Sequence, residues 1–263
     1  PIKLDWSAAI PSQELSRYNE AMNTSAYYYA DSEVDYLSST SNDSERVLDT
    51  EWVAFKSQYF STVLQTEVLS KEIFLSTNNL PDSDRFLKTL NATANLNYEE
   101  GTHSYSMDWY FVPNHVKTLK SYSIGLEELV PLGWSIIGWI NKYVVINIFN
   151  TFEAWGWGYG LIIFMMALLI KIALFPFTYK SYSSMAKMRV LKPQVDAINE
   201  KYEDQMKRQQ EMMALYKQTG VNPLGGCIPM LFQMPILFAL FRFFPASIEL
   251  RQQGFLWATD LST

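Results

Sequence analysis

The chain has 263 residues but one cysteine, Cys227, and two histidines, His103 and His115. A single thiol excludes an intrachain disulfide and a cysteine-rich metal site. Two histidines in polar surroundings suggest no metal centre either, so no metal is expected. The first half contains no nucleophile beside a base, no glycine-rich phosphate loop and no basic patch. No catalytic residue, no cofactor and no DNA partner are therefore expected, and the protein is read as a non-enzyme. No signal peptide is visible at Pro1, which places any targeting element outside this sequence or excludes it. Acidic residues are scarce in one part only. Residues 134–263 hold 8 Asp and Glu against 12 Lys and Arg, whereas residues 1–133 hold 19 against 9. Such asymmetry points to two environments.

What the second part has instead is long apolar runs. Gly158 to Pro176 reads GYGLIIFMMALLIKIALFP, with Lys171 its only charge. An ammonium in hydrocarbon costs roughly 2.5 to 3.5 kcal/mol even on the lenient insertion scale, so it usually has a use. Lys171 lies near the end of the run, about 7 to 8 Å from its boundary at about 1.5 Å per residue. Two readings stand at this point: the side chain snorkels to the interface, or it lines a polar cavity. Two spans alone do not enclose a cavity.

The acidic part reads as β structure. In NATANLNYE (91–99), Ala92, Ala94, Leu96 and Tyr98 alternate with polar residues, the period of a half-buried strand. HSYSMDWYF (103–111) repeats the pattern with Tyr105, Met107, Trp109 and Phe111 on one face. Trp52 to Leu64 and Glu72 to Ser76 are rich in aromatic and β-branched residues, and polar turns occupy 38–45 and 78–84. Short strands between polar turns suggest an antiparallel sandwich acting as a binding or scaffolding domain.

In the second part, the stretch 131–151 carries a polar stripe of Ser135, Gly138, Asn141 and Lys142, as expected of a helix lying in the membrane interface. Five of the eight tryptophans, Trp134, Trp139, Trp155, Trp157 and Trp257, border the apolar segments, where an amphipathic ring belongs. Gly156 to Pro176 is long enough to span a bilayer, and Cys227 to Ile248 is a second candidate, interrupted by Gln233 and Arg242. The loop between them holds eight basic residues, among them Lys201, Lys207 and Arg208. The positive-inside rule puts that loop in the cytoplasm and the acidic domain outside. Within it, Met188, Leu191, Val195, Ile198 and Tyr202, then Met206, Gln209, Met213 and Tyr216, recur at three- and four-residue steps, the seam of a helical hairpin. Seven of the eleven methionines, between Met165 and Met213, suit either an adaptable apolar surface or simple gap filling.

Three stretches resemble the YidC family of membrane protein insertases: KIALFPFTYKSYSSMAKMRVLKPQV (171–195), EMMALYKQTGVNPLGGCIPMLFQMPI (211–236) and ASIELRQQGFLWATDLS (246–262). The resemblance implies a periplasmic antiparallel β-sandwich over 1–122, an interfacial amphipathic helix over 123–152, and transmembrane helices over 156–177 and 227–248. It also implies a cytoplasmic helical hairpin over 178–221 and a periplasmic segment, 249–263, leading toward three further spans of a polytopic α-helical core. Lys171 stands where the family carries the cation of a hydrophilic groove, most often arginine; Gln233 and Thr178 are secondary groove candidates. Lys201, Lys207 and Arg208 are candidate contacts to ribosome or translocon. The implied partners are nascent membrane proteins, the ribosome, the Sec translocon (SecYEG, SecDF) and the lipid bilayer of the bacterial inner membrane. From the residues alone, two other classes stay open: a transporter or channel with Lys171 as an anion site, and a membrane-anchored periplasmic adaptor.

Overall fold

The computed structural model describes residues 2–66, 72–81, 83, 85–96, 105–221 and 228–262. His103, Cys227 and the ends of two sequence-read segments, 97–99 and 222–226, lie outside them. The chain divides into two units, 1–133 together with 241–263, and 134–240.

The first unit is an antiparallel sandwich. Its four-stranded sheet has the order β1 (Ile2–Pro11), β8 (Phe86–Leu96), β7 (Ile73–Asn79), β4 (Asp43–Val47). The five-stranded sheet runs β3 (Glu33–Tyr36), β2 (Ser25–Ala30), β5 (Thr50–Lys56), β6 (Phe60–Gln65), β9 (Asp108–Pro113). A short helix, α1 (Arg17–Met22), follows β1. Alternation decides what each strand buries. Leu90, Ala92 and Ala94 of β8 face Val53, Phe55 and Leu64 of the other sheet across one core, with Ile73, Leu75 and Val47. The opposite face of β5, Trp52 and Ala54, is also buried, because Leu119 of α2 (Val116–Lys120) and Leu126, Leu129 and Val130 cover it. β5 is therefore apolar on both faces, as a central strand covered on both sides must be. Trp52 Nε1 donates to Ile124 O at 2.8 Å, which satisfies the one polar atom of the most buried ring. The alternating segments at 91–99 and 103–111 correspond to β8 and β9, but β9 begins only at Asp108.

The second unit is helical. α3 (Ser135–Ile140) passes through a π-helical turn, Asn141–Val145, into α4 (Ile146–Ala154). α5 runs unbroken from Tyr159 to Lys201, α6 from Gln205 to Thr219, and α7 from Ile228 to Ala246, crossing into the first unit at Phe241. Two differences from the sequence-read boundaries have physical causes. The segment expected to start an interfacial helix at 123 instead lays Leu126 and Leu129 in a 3-10 turn on the sandwich, and helix begins only at Ser135. The boundary read between 177 and 178 falls within one continuous helix, and Pro176 sits inside α5. Proline is tolerated in such helices when its neighbours take up the freed carbonyl.

Candidate functional site

α5 is the element that carries the candidate site. At 43 residues it is about 65 Å long, about twice the thickness of a bilayer's hydrocarbon layer. Only 17% of its most apolar stretch is buried. One face, Gly160, Ile162 and Met166, packs inward, whereas Phe164, Ile172 and Phe175 are each at least 60% exposed. A core helix of a soluble domain buries such side chains, whereas this one presents them outward. α5 alone is long and apolar enough among the described residues to cross a membrane, and the apolar part of α7, Met230–Ala246, is shorter.

Lys171 is exposed on α5. Among the described residues it has no carboxylate within ion-pair distance; the ion pairs found all lie in the sandwich unit. Thr178 follows about two turns later, hence on the same helix face. Its Oγ1 donates to Leu174 O at 3.0 Å, a local bond that occupies the hydroxyl proton. Phe177 meets Phe232 of α7 with ring centroids 4.9 Å apart. Thr178 and Gln233 thus each lie one residue from the place where α5 touches α7, and Gln233 is exposed there. Lys171 is about 9 Å further along α5 from that contact.

The three hairpin cations part company. Arg208 Nε and Nη2 donate to Tyr202 O at 3.2 and 3.0 Å, and Nη2 to Glu203 O at 3.4 Å. Its charge serves the C-terminal end of α5, where a cation suits the helix dipole. Lys201 lies 5.4 Å from the Tyr202 ring, and Lys207 points to solvent. The α5 half of the seam is as the spacing predicts, with Leu191 buried and Met188, Val195, Ile198 and Tyr202 half-buried. On α6 the inward residues are Arg208, Met212, Leu215 and Tyr216, while Met206 and Met213 are 71% and 59% exposed. The three-residue turn between the helices, with Asp204 capping Met206 N at 3.0 Å, fixes that face.

The polar stripe expected on 131–151 is also reorganised. Asn141 is fully buried and its Nδ2 donates to Ala239 O of α7 at 2.8 Å. The π turn that starts at Asn141 inserts an extra residue per turn and so rotates the following face. Trp134, Ile136, Trp139 and Tyr143 point outward, each more than half exposed.

Two lysines of the sandwich that the sequence pattern did not single out are enclosed by protein. Lys56 and Lys88 are at most 1% exposed. Lys56 Nζ donates to Asn23 O at 2.7 Å, and Lys88 Nζ to Thr24 O at 2.7 Å and Ser39 O at 2.6 Å. Burial lowers both amines, to about 7 for Lys56, which also feels Lys88, and to about 8 for Lys88. The signal existed: Lys88 is in phase with Leu90, Ala92 and Ala94, and Lys56 with Trp52 and Ala54.

Comparison with known proteins accounts for both units. Residues 3–146 match the family described as YidC periplasmic domain, and residues 150–263 match that described as 60Kd inner membrane protein. A membrane protein insertase YidC of Bacteroides fragilis is 42% identical over 274 residues, covering 100% of this chain and 44% of the relative. That of Parabacteroides distasonis is 42% identical over 276 residues, covering 100% of the chain and 43% of the relative. That of Porphyromonas gingivalis is 39% identical over 278 residues, covering 99% and 44%. The chain thus spans less than half the length of these relatives.

Proposed function

Because the chain belongs to the YidC family of membrane protein insertases, we propose that it forms part of an inner-membrane insertase whose groove cation is Lys171. In this reading α5 and α7 cross the membrane, the sandwich lies in the periplasm, and α6 with the second half of α5 forms the cytoplasmic hairpin. Further helices complete a hydrophilic groove around Lys171, with Thr178 and Gln233 on its wall. The observation that carries the proposal is Lys171 itself: the single charge in the outward-facing apolar run of α5, with no carboxylate partner among the described residues.

The mechanism needs no covalent step. The acidic outer tail of a nascent membrane protein enters the groove, and its carboxylates find Lys171 at reduced dielectric. A carboxylate at about 4 Å gains about 4 kcal/mol at an effective dielectric of about 20, before desolvation is counted. The groove shortens the apolar path, and the hydrophobic segment then leaves sideways into lipid. Where a membrane potential exists it adds about 2.3 kcal/mol per charge per 100 mV. Lysine attracts the tail as a point charge, without the fork that holds a carboxylate in two places. Substrates arrive from the ribosome, with the Sec translocon as a second partner, and Lys201 and Lys207 are the hairpin cations left available for contact.

The test is insertion of a substrate with an acidic outer tail by the full protein carrying Lys171→Ala or Lys171→Arg. Arg should retain insertion. Ala should lower it about fivefold or more, the equivalent of about 1 kcal/mol, and a neutral tail should be affected less. Equal insertion of acidic tails by Ala and parent protein rejects the electrostatic role.

A further inference from the structure

After α7 the chain makes one 3-10 turn, Ile248–Leu250, and then a tight reversal that no part of the insertion mechanism uses. Phe255 N donates to Ala258 O at 2.9 Å and Ala258 N to Phe255 O at 3.0 Å, which closes a two-residue turn over Leu256 and Trp257. Leu256 has φ +54°, a conformation that hairpin turns ordinarily reserve for glycine, asparagine or aspartate. A leucine in that conformation is strained. Among the described residues its side chain finds little cover in return, with Leu256 77% and Trp257 89% exposed. The base of the turn is nonetheless held firmly. Arg251 Nη2 pairs with Glu14 at 2.9 Å, Leu261 N donates to Gln253 O at 2.9 Å, and Asp260 accepts from Ser262 N at 2.9 Å and from its hydroxyl at 2.7 Å.

A braced turn that displays a leucine and a tryptophan to solvent is shaped to be covered by something. We infer that the Leu256–Trp257 tip is an interfacial anchor that inserts into the phospholipid headgroup layer. Three observations choose lipid. Leu256, Trp257 and part of Phe255 form too small a patch for a specific protein interface, which buries roughly 800 Å² on each partner, yet they suffice for shallow insertion. Tryptophan, apolar in body with one N–H at its edge, is the side chain most at home at that depth. The stretch Gln252 to Thr259 carries no charge, and it comes one 3-10 turn after α7, the helix that the proposed reading places in the bilayer. Bracing the turn in advance removes the ordering cost that a flexible loop would meet on insertion.

The inference rests on the reading that α5 and α7 lie in the bilayer, and the experiment separates the two. In the full protein with Cys227 and every cysteine outside this sequence replaced by serine, a single environment-sensitive fluorophore is attached at Thr259→Cys and the protein is placed in phosphatidylethanolamine–phosphatidylglycerol vesicles. Fluorophores at Phe164→Cys of α5 and Leu48→Cys of the sandwich serve as references. Lipids brominated near the carbonyl should quench the label at 259 at least twofold, as they quench 164, and leave 48 untouched. Adding Leu256→Ser and Trp257→Ser should abolish the quenching at 259 and leave that at 164. The inference is overturned if the label at 259 behaves like that at 48, if it is shielded from lipid and from aqueous iodide alike, or if quenching survives loss of both side chains. If 164 also escapes lipid quenching, the spanning assignment of α5 falls and the anchor with it.

Discussion

Lys171, Lys56 and Lys88 carry the same charge into different circumstances. Lys171 stands outward on an apolar helix and depends on its surroundings, whereas Lys56 and Lys88 are enclosed by protein and held by backbone carbonyls. The buried pair makes stability depend on pH in a direction that can be worked out. Folding lowers Lys56 from 10.5 to about 7 and Lys88 to about 8. Below about pH 7 both states are protonated and the penalty of burying charge is fully present. Between there and the unfolded value the native state binds fewer protons, so the sandwich should become more stable as pH rises. The slope is at most about 1.4 kcal/mol per pH unit for each lysine. Urea unfolding followed by near-ultraviolet circular dichroism at pH 6.5 and 9 checks this, and Lys56→Met should flatten the dependence. A domain equally stable at both pH values would show that the amines are not depressed. Lys171 was legible because it interrupts an apolar run. The other two were harder to see, because an inward lysine in a strand has the same period as an outward one shifted by a residue.

At the scale of elements, the long apolar helix and the seam on its second half were legible because period and length are local properties of the sequence. The extension of α5 through Pro176, the π turn at Asn141 and the inward face of α6 were not. The last two are settled by contacts with another element: Asn141 with Ala239 of α7, and α6 with the end of α5 through Arg208. Arg208 was read as one of three equivalent surface cations, yet it closes the hairpin turn. Arg208→Ala should therefore loosen that turn by about 1 kcal/mol, given that the guanidinium is only half-buried. Amide hydrogen exchange over 199–210 should speed up in Arg208→Ala and stay unchanged in Lys207→Ala. Cross-linking of the hairpin to ribosomes should show the reverse sensitivity, falling with Lys207→Ala even though the turn is intact. If both variants leave exchange unchanged, the three bonds to Tyr202 and Glu203 do not organise the turn.

At the scale of the whole molecule, the return of the last residues to the sandwich unit is the feature that sequence alone hid most completely. The segment 249–263, read as a periplasmic stretch leading toward further spans, is tied to the sandwich unit: Glu249 meets His115 at 3.3 Å and Arg251 meets Glu14 at 2.9 Å. Gln58 Nε2 also donates to Pro245 O at 3.1 Å, and the Arg251 guanidinium lies 5.6 Å from the Tyr59 ring. No local pattern predicts partners so far apart in the chain, since each residue alone reads as an ordinary polar surface residue. The Glu14–Arg251 pair is the more enclosed of these ties, with side chains 15% and 26% exposed, so truncating one partner leaves the other charge short of solvent. Arg251→Ala should cost the sandwich unit about 1 to 2 kcal/mol, and Glu14→Ala a similar amount. The double variant should cost clearly less than the two together, because the stranded charge is gone. Urea midpoints of the four proteins complete the cycle. Strict additivity would mean that the pair is a surface contact, and that the last segment is held by Gln58 and the His115–Glu249 contact instead.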